Sequence, residues 1–222
     1  MATSPTVSTV RRSPIRFKYV LWAAFGLMTL FVVLTRDRTL LDSHSFLRQR
    51  YAPIYWLMFA HGIPGALALF LGAFQFSDRL RARFLQLHRV IGRIYVGSVA
   101  VSAPMALVVS HVLFTPTLFM ASLIQAAAWV ATTGTGLYCA RTGRIQQHRE
   151  WMTRSYPFAA VFIVVRAVNA IPAIDRMGEV GAITVVWSVI ATACFLPSFV
   201  IAWQALAAGR RTARLRTPVT AD

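Results

Sequence analysis

Long apolar runs, interrupted at short intervals by arginine-bearing segments, organise this chain from end to end. A hydrocarbon core about 30 Å thick is crossed by about 20 helical residues, each rising about 1.5 Å. Six stretches reach or approach that length: Lys18–Thr35, Pro53–Phe76, Val90–Val112, Leu118–Ala140, Tyr156–Ile174 and Val180–Ala207. The pattern predicts an all-α fold, a polytopic bundle of six transmembrane helices. The first run is the shortest, but it exceeds a signal-peptide apolar segment and lacks a small-residue cleavage site. Arg36-Asp37-Arg38 follows it, so it is read as a retained helix. Residues 1–17 are rich in Ser, Thr and Pro and are predicted to be a disordered N-terminus; residues 208–222 form a basic tail. Between the first two runs, Leu40–Arg50 mixes Leu, Phe and Arg in the manner of an interfacial helix.

Composition narrows the class. Hydrophobic residues make up 57% of the 222 positions and charged residues 14%, with a mean hydropathy of +0.58. Soluble domains average about 45–50% apolar and about 25% charged, which excludes a soluble globular protein. Disorder of the whole chain is excluded as well, because low hydrophobicity is its signature. Cys139 and Cys194 lie within apolar runs without metal or disulfide spacing, and are expected as free, buried thiols.

The formal charge of +16 first suggests nucleic acid, but no stretch is long enough to form a water-facing domain that would carry it. Its placement explains it better. With the N-terminus inside, seventeen of the 23 basic residues fall in inner segments, five fall in outer loops, and Arg166 lies within a span. That is the positive-inside pattern, so both termini are expected in the cytoplasm and anionic lipid at the inner face is the expected partner.

Polar residues retained in lipid are the natural candidates for function, because they are expensive there. Arg166 lies about ten residues into the fifth run, with Asn169 one turn further on. His61 falls at a similar depth in the second run. It begins a stripe of His61, Gly65, Ala68, Gly72 and Gln75 whose small members let a neighbouring helix approach closely. These residues are expected to form an intramembrane polar site of His61, Arg166, Asn169 and Gln75, or else a structural pair satisfied by backbone carbonyls.

A third group lies at the cytoplasmic edge. His88-Arg89 precedes the third run with Arg93 and Tyr95 following, and His148-Arg149 precedes the fifth with Trp151, Arg154 and Tyr156 following. The two histidines fall at one depth on different helices, as axial ligands of a b-type haem would. Arg89, Arg93, Arg149 and Arg154 would then face the propionates, and Trp151 and Tyr95 the ring. The alternative is an interfacial cluster holding anionic head groups, with its aromatics in the membrane belt. His111 ends the third run and is read as interfacial. Gln125, Trp129, Thr132 and Gly136 form a semi-polar stripe suited to interior packing.

The succession His61, Gly65, Gln75-Phe76, Arg81, His88-Arg89, Gly92-Arg93 and Tyr95, continued by His148, Trp151-Met152, Arg154-Ser155-Tyr156 and Arg166, resembles a bacterial family of predicted membrane proteins. That family is designated domain of unknown function 2306. The resemblance implies a multi-pass protein of the bacterial plasma membrane and marks His61, His88, His148 and Arg166. The histidine layout is also loosely similar to cytochrome b561-type electron-transfer proteins, although a depth-matched second histidine pair is lacking. The expected function is therefore a haem-binding or redox membrane protein with a quinone or redox partner. A small-ion or proton transporter and a non-catalytic scaffold or assembly factor are the alternatives. Hydrolysis is not expected, since no acidic residue lies inside a span.

Overall fold

The computed structural model describes residues 15–37 and 51–216, with short pieces at 42, 44–45 and 48–49 between them. The expected disorder of residues 1–14, most of the interfacial segment Leu40–Arg50 and the end of the basic tail lie outside the described residues. At residues 15–17 the expectation is corrected. Helix α1 (Ile15–Val32) begins there and passes into a wider π turn at Val33–Asp37.

A 3₁₀ turn at Ala52–Ile54 leads into α2 (Tyr55–Phe74), followed by the short α3 (Asp78–Arg83) and the long α4 (Leu85–Leu113). Then come α5 (Pro116–Arg141), α6 (Ile145–Asn169), the single turn α7 (Pro172–Asp175) and α8 (Gly178–Arg216). All the regular structure of the described residues is helical. The all-α expectation holds, and the joints follow from local chemistry. Ser77 caps α3 by accepting the Leu80 N–H at 3.3 Å. Pro116 opens α5 at a position where its missing N–H costs nothing. Gly143, at φ +74°, turns the chain from α5 into α6 through the left-handed region that glycine enters without strain.

Ala52–Phe74, Leu85–Leu113, Pro116–Arg141 and Gly178–Ala207 are long and apolar enough to cross a membrane. The other two expected spans differ from their helices. The apolar part of α1 is the shorter piece Trp22–Thr35. The fifth run, expected over Tyr156–Ile174, belongs to a helix that starts at Ile145 and stops at Asn169. Apolarity marks where a helix meets lipid and says nothing of a polar overhang such as Ile145–Ser155. At the far end Pro172 disfavours helical backbone in Ile171, so α6 cannot run on to Ile174.

Helices α2 and α4 pack as one antiparallel hairpin, α5 and α6 as another, with α4 against α5 joining the two. Helix α6 touches α1, α2, α5 and α8, and is the hub of the bundle. Its buried Phe158, Ala159, Val161 and Ile163 meet Tyr95, Val99 and Ala103 of α4, Trp129 of α5 and Ile190 of α8 in one core. Bulky apolar side chains such as Leu67, Phe70, Phe195, Phe199 and Trp203 point outward, an arrangement suited to a lipid solvent.

Candidate functional site

Polar side chains stitch the helices together, and each stitch places one of the marked residues. Between α2 and α4, His61 and Ser102 form a reciprocal clasp. His61 Nδ1 lies 2.9 Å from the Ser102 carbonyl, and the Ser102 hydroxyl donates to the His61 carbonyl at 3.1 Å. Gly65 makes the approach possible, since a Cβ there would stand 3.2 Å from Ser102 Oγ. Further along α2, a Cβ on Gly72 would lie 2.9 Å from ring carbons of both Tyr95 and Tyr156. The two tyrosines that follow the His-Arg pairs thus converge on one glycine. The expected small-residue stripe on α2 is a packing seam.

A buried hydroxyl network occupies the centre, and sequence reasoning missed it. Trp129 Nε1 donates to Tyr95 Oη at 3.1 Å, Tyr95 Oη lies 2.8 Å from Ser155 Oγ, and Thr133 Oγ1 lies 2.7 Å from the same oxygen. All four residues are buried, joining α4, α5 and α6. Tyr95, expected either at a haem ring or in an aromatic belt, is a core residue here. The signal was the pairing of small hydroxyl residues with aromatics at one level of three helices, which becomes visible only once the helices are in register. Of the semi-polar stripe on α5, Gln125, Trp129 and Gly136 pack inward as expected, whereas Thr132 bonds back to its own helix at Ala128 and the neighbouring Thr133 faces the network. Gln125 and Tyr156 complete the stitching by donating to the carbonyls of Phe158 and Leu69.

His88 and His148 each stand one turn into their helices, α4 and α6, at the arginine-rich end. Tyr95 and Tyr156 meet at Gly72, and the histidines stand seven and eight residues before them on α4 and α6, which puts both at about one level. Their hydrogen bonding differs. His148 Nδ1 lies 2.8 Å from the Gly136 carbonyl of α5. A carbonyl only accepts, so Nδ1 carries the proton, and in the neutral ring Nε2 keeps its lone pair. Gly136 permits this approach, because a Cβ there would meet Met152 Sδ at 2.7 Å. His88 Nδ1 is buried and has no hydrogen-bond partner among the described residues.

The surroundings divide the remaining candidates. Gln75, grouped by sequence with His61, lies at this other end, where its amide donates to the His88 carbonyl at 3.2 Å. Arg154 is held by the protein itself: it donates to Ser198 Oγ on α8 at 3.2 Å, approaches Glu150 at 3.8 Å and lies over the Trp151 ring. Arg89, Arg93 and Arg149 are exposed. At the opposite end of α6, Arg166 lies over the Phe162 ring, three residues before the helix stops. The Tyr156–Leu69 contact sets the register of α6 against α2, and counting about 1.5 Å per residue from it puts Arg166 and His61 within about 3 Å of one level. The described hydrogen bonds of His61 go to Ser102 rather than to α6. Asn169 lines a small cavity of about 210 Å³ with Ile174, Asp175, Gly178 and Ala182. His111 packs edge-on against Phe119 at the exposed end of α4. Cys139 is buried and Cys194 half-buried, both as free thiols.

No curated protein and no solved structure matches the chain. A family described as predicted membrane protein, the domain of unknown function 2306, matches residues 58–206. The match takes in α2 almost from its start, the histidines at both ends and most of α8. With apolar helices of membrane-spanning length inside that stretch, the chain is an integral membrane protein and belongs to this family.

Proposed function

We propose that this protein is a six-span membrane protein of the bacterial plasma membrane, with both termini in the cytoplasm, that binds a b-type haem through His88 and His148 at its cytoplasmic end. The observation that carries the reading is the hydrogen bond from His148 Nδ1 to the Gly136 carbonyl. Histidines that ligate metals are commonly held in this way, with the second nitrogen free and the ring orientation fixed. The exposed Arg89, Arg93 and Arg149 supply positive charge for propionates. Trp151 and Arg154, already packed on one another, would wall the site rather than bind directly. Haem would supply one-electron chemistry at the membrane surface, with a quinone or a redox protein as partner. The side chains of the chain itself orient the ligand, balance its charge and keep the bundle closed above it. The inward orientation rests on the distribution of arginines.

The test is the absorption spectrum of the full chain, expressed with ample haem and purified in detergent. A Soret band that disappears in His148→Ala and in His88→Ala is expected. A colourless wild-type protein, or a band unaffected by both substitutions, overturns the reading.

A second reading rests on the cavity beside Asn169, one turn beyond Arg166. A small anion or proton path through His61, Arg166 and Asn169 would make the protein a transporter. Loss of flux in proteoliposomes carrying Arg166→Leu supports it, and unchanged flux excludes this path.

A further inference from the structure

A cleft of about 430 Å³ separates α1 from α2 and α6. Trp22, Phe25, Gly26, Leu30 and Val33 form one wall, and Leu69, Phe70, Ala73, Phe74 and Tyr156 the other. Two hydroxyls reach it, and both are already engaged: Thr29 donates to the Phe25 carbonyl at 2.9 Å and Tyr156 to the Leu69 carbonyl at 3.1 Å. Among the described residues nothing inside the cleft is left to recognise a polar ring or head group, so the cleft suits hydrocarbon. From Trp22 to Val33 the cleft runs about 16 Å along α1, close to one leaflet of a core about 30 Å thick.

The ends of the cleft differ. Trp22, Phe76 and Tyr156 close one end as a ring cluster, with centroids 5.3 to 6.2 Å apart. Directly beyond it stands α3, which carries three arginines against one aspartate. Arg81 is committed to Asp78 and to the Gln75 carbonyl, while Arg79 and Arg83 are exposed. Gly26 adds a further point. A Cβ at that position would touch nothing within 4 Å, so no helix contact requires the glycine, and its missing side chain widens the cleft. Helix α1 also lies outside the residues that the family matches.

We propose that this cleft holds one acyl chain of an anionic phospholipid, whose head group rests on Arg79 and Arg83. The chain length matches one leaflet, the walls exclude polar groups, and positive charge stands only a turn beyond the aromatic end. Each basic residue near a membrane surface attracts acidic lipid measurably, so two of them favour phosphatidylglycerol over phosphatidylcholine by about fivefold or more.

Trp22 makes the test direct, because bromine on an acyl chain quenches a neighbouring indole. The full chain is placed in phosphatidylcholine nanodiscs containing a small fraction of dibrominated phosphatidylglycerol or dibrominated phosphatidylcholine. The difference between wild type and Trp22→Phe isolates the signal of Trp22. Stronger quenching by the phosphatidylglycerol probe is expected at equal fractions. Gly26→Phe, or Ala73→Leu from the opposite wall, should fill the cleft and remove the excess quenching. Arg79→Gln with Arg83→Gln should keep quenching by both probes but abolish the preference. Equal quenching by the two probes in wild type overturns the proposal, as does excess quenching that survives both filling substitutions.

Discussion

The two histidine regions of this bundle differ in how fully the protein satisfies its buried polar groups. At one end His61 sits in a reciprocal clasp: its Nδ1 meets the Ser102 carbonyl, its own carbonyl accepts from the Ser102 hydroxyl, and Gly65 lets the two helices close on the pair. At the other end His148 Nδ1 meets the Gly136 carbonyl in the same way, but His88 keeps a buried nitrogen that the described residues leave unsatisfied. A buried polar group without a partner costs about 1–3 kcal/mol, whereas a satisfied one contributes about 1 kcal/mol. The first region is therefore organised for stability, and the second carries the cost of an unsatisfied group. Residues of the same type at similar helical positions thus differ in role because of what faces them.

The sharpest way to break this contrast is steric. Ser102→Leu forces a larger side chain against the Gly65 backbone and removes the clasp, and should destabilise the bundle by about 3 kcal/mol or more. Thermal unfolding in detergent reads it; a melting temperature within a degree of wild type would show that α2 and α4 do not depend on this seam. Ser155→Ala comes next. It strips the buried common partner of Tyr95 and Thr133, for an expected loss of about 2 kcal/mol by the same measurement. His61→Ala should cost about 1–2 kcal/mol while leaving any haem spectrum unchanged. The smallest expected effect on stability is the most diagnostic. In ligand-free protein His88→Ala removes an unsatisfied nitrogen, so its stability should equal or slightly exceed that of wild type. Marked destabilisation by His88→Ala would mean that this ring is structural after all, and the contrast between the two ends would collapse.

Much of the architecture was readable from the one-dimensional pattern. The helical class and the positions of the four strongly apolar spans follow from hydropathy and rise per residue. The packing seam on α2 was readable too, since Gly65, Ala68 and Gly72 recur at helical spacing. Helix ends were less accessible. The hub helix α6 contains Arg149, Glu150, Arg154 and Arg166, which dilute its apolar character, and its first ten residues are helical without being apolar. The grouping of Gln75 with His61 followed the stripe correctly but joined residues about 20 Å apart along the helix.

What the amino-acid sequence determined alone was the solvent of this protein and the spacing of its polar residues. Transfer free energy acts residue by residue and depends little on neighbours, so a long apolar run declares its environment without a partner. Only the tertiary structure decided which polar groups are used up. The hydroxyl chain from Trp129 through Tyr95 and Ser155 to Thr133 needs three helices in one register. The Gly136 carbonyl becomes the partner of His148 only because Gly143 turns α6 back along α5. Hydrogen bonds are short and directional, so their satisfaction depends on distances of a few ångströms that no spacing along the chain prescribes.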